Sequence, residues 1–251
     1  MHSFFNNSNH NCSNCGIGGN FPVGCTTVSM AQIVKYYEHA GRSFNWSIMP
    51  DECVAATAGA QEVSRLLAFI ASSIVMVSWT CNGTGAYVYD FENNDIDELE
   101  AFEDWGYHVE TDAHLKRRLF SNEVVYSDFA NIYSTLVGNL KNAKPIVISG
   151  VPSGSNEGHA WNSDGYWRER LKNIVVCQTI GGEETHVRDA GEGADYFYMN
   201  WGHGGGSNGW FRTFDIHNNL YSGPPLNTSF DEPGMFNYNT HLIVLYNIHP
   251  N

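Results

Sequence analysis

Clustered Lys or Arg is missing from this chain, and acidic residues outnumber basic ones, 27 to 13, for a formal net charge of −14. A surface of that sign repels phosphate backbones, so no nucleic-acid partner is expected. Long apolar runs are missing too. The longest, "LLAFIASSIVMVSW" (66–79), is too short and too interrupted by serine to cross a bilayer, so no membrane span is expected. The start, "MHSFFNNSNHN", has neither the basic nor the apolar region of a signal peptide. That leaves a cytosolic protein or a mature form whose targeting segment was removed. Internal repeats, low-complexity tracts and a boundary linker are also absent. A second CxxC pair is lacking beside "HNCSNC" (10–15), where only His2 and His10 are close imidazoles. A zinc site needs a second ligand pair, so no metal or other cofactor is expected, and Cys12 and Cys15 read as a local disulfide or two free thiols.

What is abundant is aromatic rings and glycine: 14% of the residues are aromatic and 25 are Gly, while only 16% are charged. Such a chain packs through rings and turns often, which excludes a disordered or coiled-coil class. Its 251 residues suffice for one large domain or two closely packed lobes.

Apolar spacing divides the chain. "NFPVGCTTVSMAQIVKYYEHAG" (20–41) predicts a helix starting near Cys25, with Met30, Ile33, Val34 and Tyr37 on one face and Gly41 as its stop. A second helix carries Val63, Leu66, Leu67 and Ile70. "NGTGAY" (82–87) reads as a Gly-rich loop, and "DIDELEAFEDWG" as a short helix with Ile96, Leu99 and Phe102 inward, stopped by Gly106. Another helix, 127–144, carries Phe129, Ile132, Leu136 and Leu140. From Pro145 onward short β-rich segments take over, at 145–151, 158–167, 173–180, 196–202, 209–214 and 241–248. Helices first and an antiparallel sheet second is an α+β pattern, a mainly helical lobe over 1–144 and a mainly β lobe over 145–251 sharing an interface.

Cys25 follows Gly24 at the first turn of its helix. A buried cysteine can be a small hydrophobe, but a helix N-terminus also stabilises a thiolate, and a thiolate is a nucleophile. Thiol chemistry needs a base within reach and a third group to orient that base. Among the eleven histidines, His159 begins a strand after the "SGSNEG" turn, where a side chain can face a cleft from a firmly held backbone. Asn200 ends an aromatic strand before "GHGGGSNG", and its side-chain carbonyl could fix the imidazole tautomer, with Trp201 as a shield. Each also has a structural reading: a solvated His, a turn Asn, a core Cys.

"GCTTVSMAQIVKYY" resembles the nucleophile segment of the streptopain (C10) family of papain-like cysteine peptidases, roughly GC-x-A-x-A-x-AQ-[IV]-x-KY. "GHAWNSDGYW" is similar to that family's GHA-[FW]-x-x-DG. "YFYMNWGHGGGSNGWFRTF" is similar to Y-x-x-NWGWGG-x-S-[DN]-G-[YWF]-F-R, and "FNYNTHLIVLYNIHP" to the closing strand. Four segments in order, from residue 20 to 250, cover the mature catalytic domain. The resemblance implies a papain-like fold over 1–251, a single catalytic domain with a cleft between the lobes. It implies Cys25 as nucleophile, His159 as acid/base, Asn200 as orienting residue and Trp201 as the indole beside the pair. Protein or peptide substrates, an inhibitory prodomain outside this chain, and a secreted or cell-surface bacterial setting are also implied.

Two departures stand out. The family's second tryptophan in NWGWGG is His203 here, which bears on the primed side of the cleft or its pH response. The oxyanion-hole glutamine, upstream of the cysteine in the family, has no counterpart in "SFFNNSNHNCSNC"; lining up the HN and following Cys puts Asn6 there, with Asn7 nearly as suitable. The segment 168–195 is also longer than the corresponding streptopain hairpin and reads as an excursion on the β lobe. With the oxyanion hole altered, the competing expectation is a weak or inactive papain-like binding module. A third is an amide hydrolase or transferase acting on something other than protein.

Overall fold

The computed structural model describes residues 23–50, 57–74, 77–80, 83–86, 97–111, 126–152, 158–179, 181–203, 207–212 and 240–251. Asn6, Asn7, Cys12, Cys15, Cys53, Cys81 and Ile96 lie outside them. Helix α1, Cys25–Tyr37, opens on extended Gly24, whose carbonyl takes the Val28 N–H at 3.1 Å. Every residue from Thr26 to Ala31 is buried, polar ones included, so this helix runs through the protein rather than over it. The Ser29 hydroxyl is satisfied internally by the Thr26 carbonyl, 2.9 Å away. The expected stop at Gly41 comes too late. Glu38 already takes the left-handed cap (φ 52), and Lys35 ties its carboxylate to the Trp46 carbonyl beyond.

Helix α2, Ala58–Ser73, is capped by the Thr57 hydroxyl, which accepts the Ala60 N–H at 3.1 Å. It buries Leu66, Leu67 and Ile70, with Val63 partly covered, which is the predicted stripe. Helix α3, Asp97–Asp104, inserts Phe102 into the same core and is followed by Gly106 at φ 85, the expected stop. Helix α4, Tyr126–Lys141, buries Ile132, Leu136 and Leu140.

Strands appear where the first half was expected to hold helices and loops. β1, Val77–Thr80, pairs with β2, Gly83–Ala86, so residues 83–86 of the predicted 82–87 loop are a strand. Main-chain ladder bonds hold the glycines, and Thr84 stands opposite Trp79. β3, Tyr107–Thr111, follows α3 directly and was not foreseen. β4, Ile146–Val151, and β8, Thr240–Pro250, match their segments. β5, His159–Thr179, is one strand where two were expected. From Asn162 onward it pairs with β6, Gly182–Asn200, which starts well before the expected 196, and β7, Gly209–Arg212, closes that edge. The 168–195 excursion is thus a long two-stranded extension of the sheet. Its root is anchored by Asp195, which accepts Arg168 through both oxygens (2.6 and 2.7 Å) and the Tyr133 hydroxyl (2.6 Å).

The six-stranded sheet runs β3-β8-β4-β5-β6-β7, with every pair antiparallel. Strand alternation gives it two apolar faces. Val147, Ile243 and Leu245 join α1, α2 and α3 in one core; Ile146, Ile148, Trp161, Phe197 and Val244 join α4 in the other. The fold class is α+β, as expected, but the sheet is sandwiched between helical layers.

The tightest approach is at Gly59, where a side chain would collide with the Ile48 carbonyl and with Pro50 Cδ, 2.8 Å away. Gly59→Ala is therefore expected to destabilise the protein by about 1–3 kcal/mol, although alanine favours helices, read as a lower urea midpoint. An unchanged midpoint would mean that α2 does not press on the Trp46–Ile48 turn.

Candidate active site

The all-round burial of α1 leaves its first residue at the edge of the core. Cys25 is a free thiol of intermediate exposure. Burial among protein atoms pushes its pKa up; hydrogen bonds from the Ala160 main chain, from the Thr26 main chain and hydroxyl, and from its own amide pull the other way. The thiolate expected from the helix N-terminus alone is thus opposed by desolvation. The helix that Cys25 heads is tied to the strand that His159 heads, where Asn162 Nδ2 reaches the Ser29 carbonyl at 2.9 Å.

His159 is the first residue of β5, opposite Gly150 on β4, and is buried. Gly158 just before it has no room for a Cβ, which would sit 2.9 Å from the Gly150 carbonyl oxygen. The imidazole Nε2 lies 2.9 Å from the Trp201 carbonyl oxygen. A carbonyl can only accept, so Nε2 carries the proton and, in the neutral ring, Nδ1 keeps the basic lone pair. The ring stacks on three others: Trp161 and Trp201, each at 6.1 Å, and His203 at 4.9 Å with only 8° between planes. His203, in the position of the family's tryptophan, is exposed and lies face to face with His159. Two positive charges at that distance would repel, whereas neutral rings stack freely.

Trp201 is wholly buried, and its carbonyl is aimed by the turn around it. Its N–H donates to Asn208 Oδ1 (2.9 Å), the Gly202 N–H donates to Asn200 Oδ1 (3.2 Å), and Gly202 sits at φ 77. The acceptor on His159 Nε2 is accordingly a main-chain oxygen, whereas the sequence pointed to the Asn200 amide. Asn200 stands opposite Asn162 in the β5–β6 ladder and so shares its face, toward α1, where its Oδ1 also accepts from Gln32 Nε2 at 3.4 Å. Asn162 in turn donates to Gln32 Oε1 (2.7 Å) and to the Ser29 carbonyl (2.9 Å). The sequence reading missed Gln32 and Asn162. Gln32 could have been found from its place seven residues, two helical turns, below Cys25. Nothing in the sequence marked Asn162 or the Trp201 carbonyl.

Residues 2–211 match the peptidase C10 family. The chain is similar in structure to the active wild-type interpain A cysteine protease of Prevotella intermedia, with a TM-score of 0.54 and 16% identity over 90% of this chain and 83% of that one. It is also similar to a mutant prointerpain A fragment from the same organism, with a TM-score of 0.51 and 16% identity over 91% of this chain and 64% of that one. No curated protein matches.

The Trp201 contact makes a spectroscopic prediction. Nitrogen-15 NMR of the imidazoles, with His159 assigned through His159→Gln, should find the neutral ring protonated at Nε2. The opposite tautomer would mean that the Trp201 carbonyl does not hold the ring.

Proposed function

Because the chain belongs to the peptidase C10 family and is a cysteine-type peptidase of papain-like α+β fold, we propose that it is an endopeptidase working through Cys25 and His159. The observation that carries this reading is that the helix headed by Cys25 is tied to the strand headed by His159, through Asn162 Nδ2 on the Ser29 carbonyl at 2.9 Å, while the Trp201 carbonyl engages Nε2 of His159. In this mechanism His159 Nδ1 takes the thiol proton and the thiolate attacks the peptide carbonyl carbon. The tetrahedral intermediate collapses as the imidazolium protonates the leaving amine, giving a thioester. Water, deprotonated by the same nitrogen, then releases the acid and restores the thiol. The Cys25 N–H is one donor to the oxyanion, and Asn6, or its neighbour Asn7, is the second on the strength of the sequence alignment. Asn200 acts by holding the turn that presents the Trp201 carbonyl, and Trp201 covers the imidazole.

Peptide substrates accord with the family. A secreted or cell-surface bacterial setting and an inhibitory prodomain are supported by the streptopain resemblance, the latter also by the pro-form among the structural relatives. Residues 1–251 then form one catalytic domain. Among the described residues no helix is long and apolar enough to cross a membrane.

The mechanism is tested by alkylating Cys25 with iodoacetamide across pH. Burial raises the thiol pKa, so without an imidazolium neighbour the thiolate should appear only above the ordinary thiol value of about 8.5. Wild type should be alkylated rapidly from well below that pH, and His159→Ala only above it. Peptide hydrolysis should be abolished by Cys25→Ala and lowered by roughly a hundredfold or more by His159→Ala. Identical alkylation profiles for wild type and His159→Ala would overturn the pair, and with it favour a binding module. The oxyanion assignment has its own test. Ala at the true donor of Asn6 and Asn7 should lower kcat by roughly a hundredfold with KM little changed, and a fully active double variant would place the donor elsewhere.

A further inference from the structure

Asn162 is a polar side chain almost wholly buried, 3% exposed, between α1 and β5. Burying an amide is costly unless it is hydrogen-bonded, and its Oδ1 has no hydrogen-bond partner among the described residues. An apolar side chain would fill the same place without that cost. The Nδ2 group is what the amide contributes. It gives one proton to the Ser29 carbonyl and the other to Gln32 Oε1, and Gln32 Nε2 then reaches Asn200 Oδ1, which also holds the Gly202 N–H.

Three carboxamides in series have a direction. Turning Gln32 over would set its NH2 against that of Asn162 and its oxygen against that of Asn200, losing both links at once. The chain of amides also joins three pieces of backbone: the helix headed by Cys25, the strand headed by His159, and the turn whose Trp201 carbonyl holds the imidazole. Apolar packing tolerates a helix sliding or rolling by a few tenths of an ångström. Directional hydrogen bonds tolerate it less.

We propose that Gln32 and Asn162 are positioning residues that lock the roll of α1 against β5 and the Trp201 turn, and so set the approach of the Cys25 thiol to the His159 imidazole. This rests on the peptidase reading above. The motif GHA-[FW]-x-x-DG leaves the position of Asn162 open, so in this chain the lock is completed by a residue that the family pattern does not require. Neither side chain touches substrate in this role. Their effect is on the geometry of the chemical step, where a misplacement of about 1 Å can cost a hundredfold in rate.

The test uses Gln32→Met and Asn162→Leu, near-isosteric changes that remove the hydrogen bonds, alone and together. Each should lower kcat by roughly ten- to a hundredfold with KM within about twofold, and should slow iodoacetamide alkylation of Cys25 at pH 6 by a similar factor. Thermal midpoints should fall only modestly, since Asn162→Leu loses two hydrogen bonds but also removes the unpaired Oδ1. Because the amides act in series, the double variant should lose no more than the worse single one. A kcat within twofold of wild type in Gln32→Met would overturn the proposal, as would losses that multiply in the double variant. If Asn162→Leu fails to fold, Gln32→Met, at a partly exposed position, decides the matter by itself. Should the wild type cleave no peptide while Gln32→Met still slows alkylation, the lock stands and the peptidase reading falls.

Discussion

The packing of α1 against β5 is the contact on which the rest of the structure depends. α1 is buried along its first half on every side, and the Asn162 amide of β5 is bonded to its Ser29 carbonyl. A surface helix can shift with little cost, because one face is free. This one cannot, because α2 and α3 share its core and the sheet forms the wall. The thiol is therefore held by a helix that has nowhere to go, and the imidazole by a strand paired with β4 on one side and β6 on the other. Fixing reacting groups on rigid elements in this way avoids an ordering cost at the moment of reaction.

Much of this was legible in the sequence because burial imposes periodicity. Leu66, Leu67 and Ile70, or Ile132, Leu136 and Leu140, repeat at helical spacing and face a core, and a reader of the chain sees that directly. Sheet elements hid where periodicity failed. Half of β2 is glycine, and its pairing with β1 is main-chain chemistry that no side chain announces. The middle of β5, Arg168 to Lys172, looked like a break between two strands because it is charged. It is continuous because beyond Asp195 the hairpin leaves the core: Ile174, Val176 and Val187 are exposed there, so no apolar alternation is demanded of their neighbours. α1 ended at Glu38 because a lysine pair and a turn stabilised the left-handed cap that glycine usually supplies.

The site divides along the same line. The side chains that the proposed mechanism needs at a fixed place, Cys25 and His159, are ones that residue type and position single out. What holds them could not. The acceptor on His159 is a carbonyl, and every residue has one; only the Asx turn at Asn200 and the positive φ of Gly202 reveal why that of Trp201 is the one presented. Asn200 was expected to orient the imidazole, but its amide follows the ladder to Asn162 and faces α1. A one-residue step along a strand reverses the face, and sequence position alone does not say which face the function uses.

The raised pKa of the thiol then ceases to be a paradox. Burial penalises a lone thiolate, but in a poorly solvated space an opposite charge beside it attracts far more strongly than it would in water. In the proposed mechanism the pair is formed together or not at all, so the same desolvation that keeps Cys25 neutral in isolation makes its ionisation contingent on His159. His203, stacked at 4.9 Å, is the group best placed to disturb that arrangement, since a positive charge on its ring opposes one on His159. A tryptophan in its place, as in the family pattern, stacks without titrating. Replacing a shielding indole by a second imidazole therefore trades a fixed apolar cover for one whose charge depends on the surrounding pH.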